Sequence, residues 1–298
     1  MYDVRRMAML LEIHERGSIS SAARTLHLTP SAISQQMAAL EKEVGQPLLQ
    51  KEGRFAQLTQ AGLVIAEGAR QVLRELDTTA TRIARLSGEP AGAVRIAMFQ
   101  SAAMALLTPT LDWLADNAPQ VRLIVHQIDP ETGLDLTTSR LCDAVIAETY
   151  PGYHAPAHPE LDLQLLTSDA LQLVVSADSP ITSLPEAAPL PWVLEGSHNT
   201  SRSWAINQCR AAGFEPQIRY DIEDLLTHCH LARTGHAAAI LPGFATATLP
   251  EDFGVKIIDL PGRPHRNIYT AVRHDSAQAP AIVAVRQALE NAVEQLAL

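Results

Sequence analysis

Apolar and polar positions in the first part of the chain alternate in the pattern of short helices joined by tight turns. Thr29 and Pro30 predict the start of a helix, because a hydroxyl can cap free amides and the fixed φ of proline suits the first helical position. Apolar residues then recur at spacings of four, three and four, which predicts one buried face: Ile33, Met37, Leu40 and Val44. Gly45 predicts the end of this helix, and Ser18 predicts the cap of a shorter helix before it.

The exposed side of this predicted helix and the segment after it carry residue types that bind DNA. Serine and glutamine side chains can pair with base edges, and free amides at a helix N-terminus attract phosphate. Gly53 and Arg54 are expected at the tip of a hairpin, with Lys51 nearby. The candidate DNA-contacting residues are Thr29, Pro30, Ser31, Ser34, Gln35, Gln36, Lys51 and Arg54. A helical hairpin with polar residues facing water is the alternative, but the cap, turn, apolar face and basic hairpin together favour DNA binding.

A second helical pattern covers residues 59–88. Apolar residues there step by three, four, three, four and three in a heptad-like stripe: Ala66, Ala69, Leu73, Leu76, Ala80 and Ile83. Such a helix either packs on its own domain or pairs with a second copy as a dimerising linker. The linker is favoured, because the stripe is rich in alanine and lies between two predicted domains.

From residue 93 onward, predicted strands and helices alternate. The strands are expected at 93–99, 121–128, 142–148, 171–178, 190–196, 218–222, 237–242 and 267–274. The helices are expected at 102–117, 131–140, 201–212, 223–234 and 279–297. Alternation of this kind indicates a parallel sheet covered by helices.

Charge divides the chain in the same way as the predicted elements do. Residues 1–88 contain 11 Lys and Arg against 9 Asp and Glu, whereas residues 89–298 contain 12 against 24. The net charge of −10 therefore hides a basic excess in the part expected to bind DNA. The acidic remainder should weaken non-specific binding to nucleic acid.

Three features together predict a cytoplasmic protein. No stretch approaches the roughly 18 apolar residues that span a membrane. The apolar segment near the N-terminus is interrupted by Glu12, which favours an amphipathic helix over a signal peptide. Cys142, Cys209 and Cys229 are odd in number and lack CxxC spacing, which suits a reducing compartment.

The segment from Met7 to Gly62 resembles the winged helix-turn-helix of the LysR-type transcriptional regulators. The resemblance rests on GSISSAA at 17–23, LTPSAISQQ at 28–36 and LTQAG at 58–62, at fixed spacing over more than 50 residues. Ile19 stands where that family commonly has an aromatic residue, Leu49 where Phe is common and Lys51 where Arg is usual. These departures keep size or charge nearly unchanged.

The rest of the chain resembles the regulatory domain of the same family, which is similar to periplasmic solute-binding proteins. Its landmarks are LTP at 107–109, CDAVIA at 142–147, DALQLVVSADSPI at 169–181 and ARTGHAAAILP at 232–242, with His236 where an aliphatic residue is usual. The resemblance implies a mixed fold class: an all-α winged helix-turn-helix domain, a long linker helix and an α/β two-lobed regulatory domain. The expected boundaries are 1–58, 59–88 and 91–298, with lobe I at 91–162 and 267–298 and lobe II at 163–266.

Two such lobes are expected to enclose a small effector. Ligands of open parallel sheets bind beyond the carboxyl ends of the strands. The expected effector-binding residues are Gln100, Ser101, Pro130, Glu131, Glu148, Thr149, Ser197, His198, Asn199, Thr200, Ser201 and, as a lid, Phe244. Helix N-termini near Ser101 and Ser201 favour an effector that bears a carboxylate, and Glu148 adds an amine contact that would admit an amino acid.

Other candidate chemistry finds little support in the sequence. His228, Cys229 and His230 are adjacent, and consecutive residues of a helix point about 100° apart, which disfavours a shared metal ion. Cys209 lies where peroxide-sensing relatives carry a redox cysteine, but no partner cysteine is nearby. No G-x-S-x-G, P-loop or G-x-G-x-x-G motif is present, so neither catalysis nor a cofactor is expected.

The resemblance implies a sequence-specific regulator that acts as a homodimer or a dimer of dimers. Its expected partners are double-stranded DNA with an inverted-repeat operator, a small-molecule effector and RNA polymerase, with no membrane contact. The alternative is a small-molecule binding protein or an enzyme on the two α/β lobes, whose N-terminal helices serve only oligomerisation.

Overall fold

The computed structural model describes residues 2–26, 28–52, 55–153, 158–197 and 199–296. The chain divides into two compact units, Met1–Ile83 and Ala84–Leu298. The division falls inside one long helix. Among the described residues, none of the helices combines the length and the apolar character needed to cross a bilayer.

The N-terminal unit is a helix-turn-helix followed by a hairpin and a long helix. Its elements are α1 (Val4–Arg16), α2 (Ile19–Thr25), α3 (Pro30–Val44), β1 (Leu49–Glu52), β2 (Phe55–Leu58) and α4 (Gln60–Ser87). Both predicted caps are confirmed: Ser18 Oγ accepts from the amide of Ser21, and Thr29 Oγ1 accepts from the amide of Ala32 at 3.2 Å. Gly45 ends α3 in the left-handed conformation.

The apolar face predicted for α3 forms the centre of this unit. Three of its residues are buried, Ile33, Met37 and Leu40, and Val44 packs against them while partly buried. Leu10 and Ile13 of α1 are fully buried in the same core. The packing against α1 and α2 leaves the opposite side of α3 to solvent.

The predicted wing is the antiparallel pair of β1 and β2. Leu49 lies opposite Leu58, and Glu52 lies opposite Phe55. Gly53 and Arg54, expected at its tip, lie outside the described residues, as does the side chain of Lys51. The hairpin itself is therefore confirmed, and its basic residues remain predictions.

The apolar stripe of the long helix α4 is buried in its first part and exposed in its second. Ala66 and Ala69 are buried in the core of the N-terminal unit, as the packing hypothesis requires. Farther along the same stripe, the side chain of Leu76 is 55% exposed and that of Ile83 is 62% exposed. The apolar stripe of α4 thus continues beyond the part of the helix that is packed against the N-terminal core.

After the end of α4, the second unit contains nine strands and six α-helices in the residues described. They are β3 (Gly92–Met98), α5 (Gln100–Asn117), β4 (Val121–Gln127), α6 (Pro130–Thr138), β5 (Ala144–Thr149), β6 (Leu161–Ser176), β7 (Pro191–Leu194), α7 (Thr200–Ala211), β8 (Gln217–Asp221), α8 (Leu225–Arg233), β9 (Ala239–Pro242), α9 (Gly243–Thr246), β10 (Val255–Asp259), β11 (His265–Arg273) and α10 (Pro280–Gln295). The main sheet has the order β10-β6-β11-β5-β3-β4, and β9 also pairs with β6.

The prediction of a parallel sheet is only partly confirmed. β3 pairs in parallel with β4 and β5, and β7 pairs in parallel with β8. The pairings of β6 with β9, β10 and β11, and of β11 with β5, are antiparallel. The prediction assumed that every strand is followed by a helix and therefore runs parallel to its neighbours. Strand β10 has no helix after it, and neither α9 nor β10 was predicted.

Strand β6 is 16 residues long and is shared by two groups of elements. Its residues up to Ala170 pair with β11, and its residues from Leu171 onward pair with β9 and β10. We call the elements around β3, β4, β5 and β11 lobe I, and those around β7 to β10 lobe II. The predicted strand at 171–178 covers only the second part of β6.

Gly62, the last residue of the LTQAG segment, lies where α4 passes close to the hairpin. The amide of Gly62 donates to Thr59 Oγ1 at 3.1 Å, which caps the helix. A Cβ on Gly62 would lie 2.2 Å from the carbonyl oxygen of Leu48, whereas a Cβ on Gly68 of the same helix would meet only Met7 Cε at 3.8 Å.

We therefore expect Gly62→Ala to lower the free energy of unfolding by about 1–3 kcal/mol, because backbone must move to relieve the clash. Gly68→Ala is the matched control and should raise it by up to about 1 kcal/mol, since alanine favours a helix more than glycine does. Urea denaturation of the full chain, followed by circular dichroism, measures both. Identical midpoints for the two variants would contradict the close approach.

Candidate functional site

The polar residues predicted to contact DNA lie at the start and along the exposed side of α3. Thr29, Pro30, Ser31, Ser34 and Gln35 are all exposed. Thr29 Oγ1 and Ser31 Oγ are 3.0 Å apart, and Ser34 Oγ donates to the carbonyl of Pro30 at 2.9 Å. These bonds hold the short hydroxyls close to the helix. Gln35 is the longest of these side chains and therefore reaches farthest from it.

Gln36 lies at the edge of this surface and is half-buried. Its Oε1 accepts from Arg6 Nε at 2.9 Å, and Arg6 also forms an ion pair with Glu43. Arg6 was not among the sequence candidates. Gln36 and Glu43 lie seven residues apart and therefore on the same side of α3. This spacing could have suggested that one basic side chain binds both.

The second unit contains a cavity of about 860 Å³ between its two lobes, which we call the cleft. Nine of the expected effector-binding residues line it: Gln100, Ser101, Pro130, Glu131, Glu148, Thr149, Asn199, Thr200 and Ser201. Ser197 is exposed and is not part of the lining, and His198 lies outside the described residues. The strand ends and helix starts that suggested these positions thus converge.

The expectation that Phe244 acts as a lid is wrong. Its side chain is fully buried in the core of the second unit, with Met98 and Leu106 in the same cluster. Its backbone amide donates to Asp169 Oδ1 at 3.0 Å. The residue follows strand β9 directly, and its short helix α9 turns the ring inward instead of over the cleft.

A buried guanidinium lies at one end of the cleft. Arg266 is the second residue of β11, lies opposite Asp169 of β6 and has a side chain only 3% exposed. Its Nη2 donates to Asp169 Oδ2 at 2.6 Å and to Ser101 Oγ at 2.8 Å, and its Nη1 donates to Glu148 Oε2 at 2.5 Å. Two carboxylates and a hydroxyl thereby satisfy one cation.

Aromatic rings complete the surroundings of Arg266. Its Cζ lies 5.1 Å from the ring centroid of Phe99 and 5.8 Å from that of Phe244. Burial alone would lower the pKa of Arg266, but the charges of Glu148 and Asp169 outweigh burial and raise it. Burial also raises the pKa of Glu148, against the opposing effect of Arg266. The guanidinium is therefore a permanent charge of this site.

A second polar group surrounds the start of α7. Asn199 precedes the helix, but its side chain donates to Glu223 Oε2 at 2.8 Å and does not cap the helix. Ser201 Oγ donates to the carboxylate of Glu195. Burial raises the pKa of Glu195, the hydrogen bond from Ser201 opposes this, and the charge of Glu148 adds to the rise.

One side chain bridges the two lobes across the cleft. Gln100 begins α5 in lobe I, and its Nε2 donates to Asp224 Oδ1 at 2.6 Å. Its Oε1 accepts from the amide of Leu225, the first residue of α8 in lobe II, at 2.9 Å. Because both ends of one amide are used, the bridge depends on the separation of these two helix starts.

Comparison with known families agrees with this architecture. The bacterial regulatory helix-turn-helix protein family, lysR type, matches residues 4–63, and the LysR substrate binding domain matches residues 87–294. The chain belongs to the LysR family of transcriptional regulators. This membership decides against the alternative of a binding protein or an enzyme with a dimerising N-terminus.

Individual transcriptional regulators resemble this chain over almost its whole length. The probable HTH-type transcriptional regulator LrrA of Synechococcus elongatus is 26% identical over 99% of this chain and 98% of its own. CbnR, solved in a complex with target DNA, superposes with a TM-score of 0.71 at 20% identity over 97% of this chain and 99% of its own. PA0477 from Pseudomonas aeruginosa gives 0.75 at 18% identity over 96% of each chain. These structures share the fold.

Several residues of this LysR regulator's cleft were not found from the sequence. Arg266, Tyr150, Glu195 and Glu223 all line the cleft. Glu195 directly follows β7, but the strand predicted at 190–196 runs two residues too far and so hides Glu195 inside it. Arg266 lies at the start of a strand, where the rule that ligands bind beyond the carboxyl ends of strands does not apply.

Cys209, Cys229 and the two histidines of the 228–230 segment pack against the protein interior or against neighbouring side chains. Burial raises the pKa of Cys209 to about 12 and that of Cys229 to about 11, so both thiols stay protonated at neutral pH. His228 Nε2 lies 2.7 Å from the carbonyl of Ile222, and His230 packs on the ring of Phe253. Within the described residues, no group of three or more His, Cys, Asp or Glu side chains is arranged to hold a metal ion.

The network around Arg266 leads to a prediction about stability. Arg266→Met should lower the free energy of unfolding by about 3–5 kcal/mol, because it leaves the buried carboxylates of Asp169 and Glu148 without their cation. Arg263→Met is the control: its partner Asp259 lies at 3.1 Å, but the Arg263 side chain is 79% exposed, so the loss should be below about 1 kcal/mol. Thermal and urea unfolding of both variants measure this. A loss for Arg266→Met no larger than the control's would refute the network's importance.

Proposed function

We propose that this LysR regulator binds an inverted-repeat operator as a homodimer or a dimer of dimers, and that an effector in the cleft controls the complex. Ser31, Ser34 and Gln35 read base edges in the major groove. Four other residues hold phosphate or the adjacent minor groove: Thr29, Gln36, Lys51 and Arg54. The regulator acts in the cytoplasm, where DNA and RNA polymerase are its partners.

The observation that carries the DNA proposal is the two-sided character of α3. Ile33 and Leu40 on its apolar side are fully buried. The polar residues on its other side are exposed: Ser31, Ser34 and Gln35. A helix fixed in this way presents a rigid polar edge, and the Thr29 cap leaves the remaining free amides at its N-terminus available for phosphate. Arg6 binds Gln36 beside that edge and so fixes the position of the Gln36 side chain.

The exposed part of α4 supports dimerisation. Leu76 and Ile83 lie one heptad apart and are more than half exposed, and Val72 is also exposed. Exposed apolar residues at this spacing suit a second helix packed alongside. A dimer places two α3 helices so that they meet two half-sites of an inverted repeat.

The effector is proposed to be a small carboxylate or an amino acid. The starts of α5 and α7 both line the cleft, and neither has a side-chain cap. Free amides at these two helix starts attract a carboxylate. Ser201 already donates its hydroxyl hydrogen to Glu195, whereas Ser101 only accepts from Arg266. The backbone amides and the Ser101 O–H are therefore the remaining donors of the two predicted anion sites.

Control of DNA binding follows from the bridge made by Gln100. An effector that changes the separation of α5 and α8 favours either the bridged or the unbridged arrangement of the lobes. A ligand shifts such an equilibrium by its difference in affinity for the two arrangements. The lobes then alter the spacing of the DNA-binding units in the assembly.

The test of sequence-specific binding is fluorescence anisotropy with DNA from upstream of the regulator's gene against scrambled duplex, over a salt series. Gln35→Ala should reduce the preference for the specific DNA by about fivefold or more, because one base contact contributes about 1–3 kcal/mol. Gln46→Ala, an exposed glutamine just beyond α3, is the control and should leave the preference unchanged. An unaltered preference in Gln35→Ala would remove Gln35 from the base-reading residues.

The dimerisation proposal is tested by introducing a charged side chain into the apolar stripe of α4. Leu76→Glu should raise the dimer dissociation constant by about tenfold or more, because it introduces a charge into an apolar interface. Gln60→Glu adds the same charge at the exposed first residue of α4, more than four turns before Leu76, and should have little effect. Analytical ultracentrifugation measures both. Equal dissociation constants for the two variants would place the dimer contact elsewhere.

A further inference from the structure

We propose that the effector carries a cationic group, an ammonium or a guanidinium, which binds the carboxylate of Glu195 in the cleft. The inference rests on the proposed function, because it takes the cleft to be the effector site. It narrows the choice between a plain carboxylate and an amino acid in favour of a molecule with a positive charge.

The charges that line the cleft are predominantly negative. Six carboxylates face two guanidinium groups and two imidazoles among the lining residues that the structure describes. Both guanidinium groups already have partners: Arg266 binds Glu148 and Asp169, and Arg202 Nη1 lies 2.8 Å from Asp221 Oδ2. Burial lowers the pKa of the His228 imidazole, which keeps it neutral. An anion entering the cleft therefore meets no spare arginine in its described lining.

Glu195 is a partly buried carboxylate of the cleft that forms no ion pair with a described residue. It directly follows strand β7 and receives a hydrogen bond from Ser201 Oγ, a neutral donor. Within the described part of the chain, no Lys, Arg or His nitrogen lies within 4.0 Å of its carboxylate oxygens. Arg202 Nη1 donates to the backbone carbonyl of Glu195 at 2.7 Å, but its ion-pair partner is Asp221. A half-buried carboxylate without an ion pair is costly, and a cationic ligand removes part of that cost on binding.

An aromatic pair next to Glu195 and Ser201 supplies a second, independent observation. Trp204 lies three residues after Ser201 on α7, and its ring centroid is 5.7 Å from that of Tyr150. Both rings line the cleft, and aromatic faces attract cations. The Trp204 side chain is 3% exposed, and its Nε1 has no hydrogen-bond partner among the described residues.

Glu195 and the aromatic pair both favour a ligand with a positive charge, whereas a dicarboxylate would bring further negative charge to a lining already rich in carboxylates. Amino acids and other small amines or guanidines are ligands of this kind.

The test compares 4-aminobutyrate, 1,4-diaminobutane and glutarate, which are linear molecules of similar length that differ in their terminal charges. Isothermal titration calorimetry with the full-length protein at millimolar probe concentrations should show that the two amines bind more tightly than glutarate. Glu195→Gln should weaken amine binding by about tenfold or more, as expected for the loss of one desolvated charge pair. Glu251→Gln makes the same change at an exposed position of lobe II outside the cleft and should bind like the parent.

Glu195→Asp guards against a general effect on folding, since it keeps the charge and should retain most of the amine affinity. Tighter binding of glutarate, no binding of either amine, or equal amine affinity in Glu195→Gln and the parent would each overturn the inference. Operator binding is measured on the same samples. Specific DNA binding without an amine response would reject the cation site alone, whereas loss of specific DNA binding in the parent would reject the proposed function.

Discussion

A buried guanidinium requires neutralisation, and the second unit is arranged around this requirement. Arg266 comes from β11, and its partners come from three other elements: Asp169 from β6, Glu148 from β5 and Ser101 from α5. Removing β5, β6 or β11 would take away one of the charged partners and leave charge in the interior, at a cost of several kcal/mol. Asp169 also accepts the amide of Phe244 at 3.0 Å, so the same network fixes the turn after β9. The lobes and the cleft therefore take their geometry from the surroundings of one cation.

Local signals in the sequence were sufficient for most of the helices and strands. The cap at Thr29, the spacing of Ile33, Met37 and Leu40, and the glycine at the end of α3 all act within a few residues, and all are confirmed. The cleft was also predicted in outline, because strand ends and helix starts must gather at one edge of a parallel sheet. The chemistry of that edge was predicted less well.

The missed features depend on contacts between distant parts of the chain. Arg266 meets Asp169 and Glu148 across 97 and 118 residues, and no periodicity in the sequence encodes such a meeting. The same holds for the antiparallel pairs of β6, which turn a predicted parallel sheet into a mixed one. Phe244 was expected at the cleft because it follows a strand. That rule locates the backbone of a loop, but it does not predict in which direction a short helix such as α9 points its side chains. Position along the chain was therefore a better guide to backbone than to side-chain roles.

Strand β6 serves lobe I with its first part and lobe II with its second. The two lobes are consequently not separable modules, although each has its own core. A chimera that exchanged one lobe for that of another regulator would have to join foreign sequence within a continuous strand, where a shift of one residue turns every side chain to the opposite face. Evolution of a new effector specificity in this scaffold is thus expected to proceed by substitutions at the cleft, with β6 inherited as a single piece.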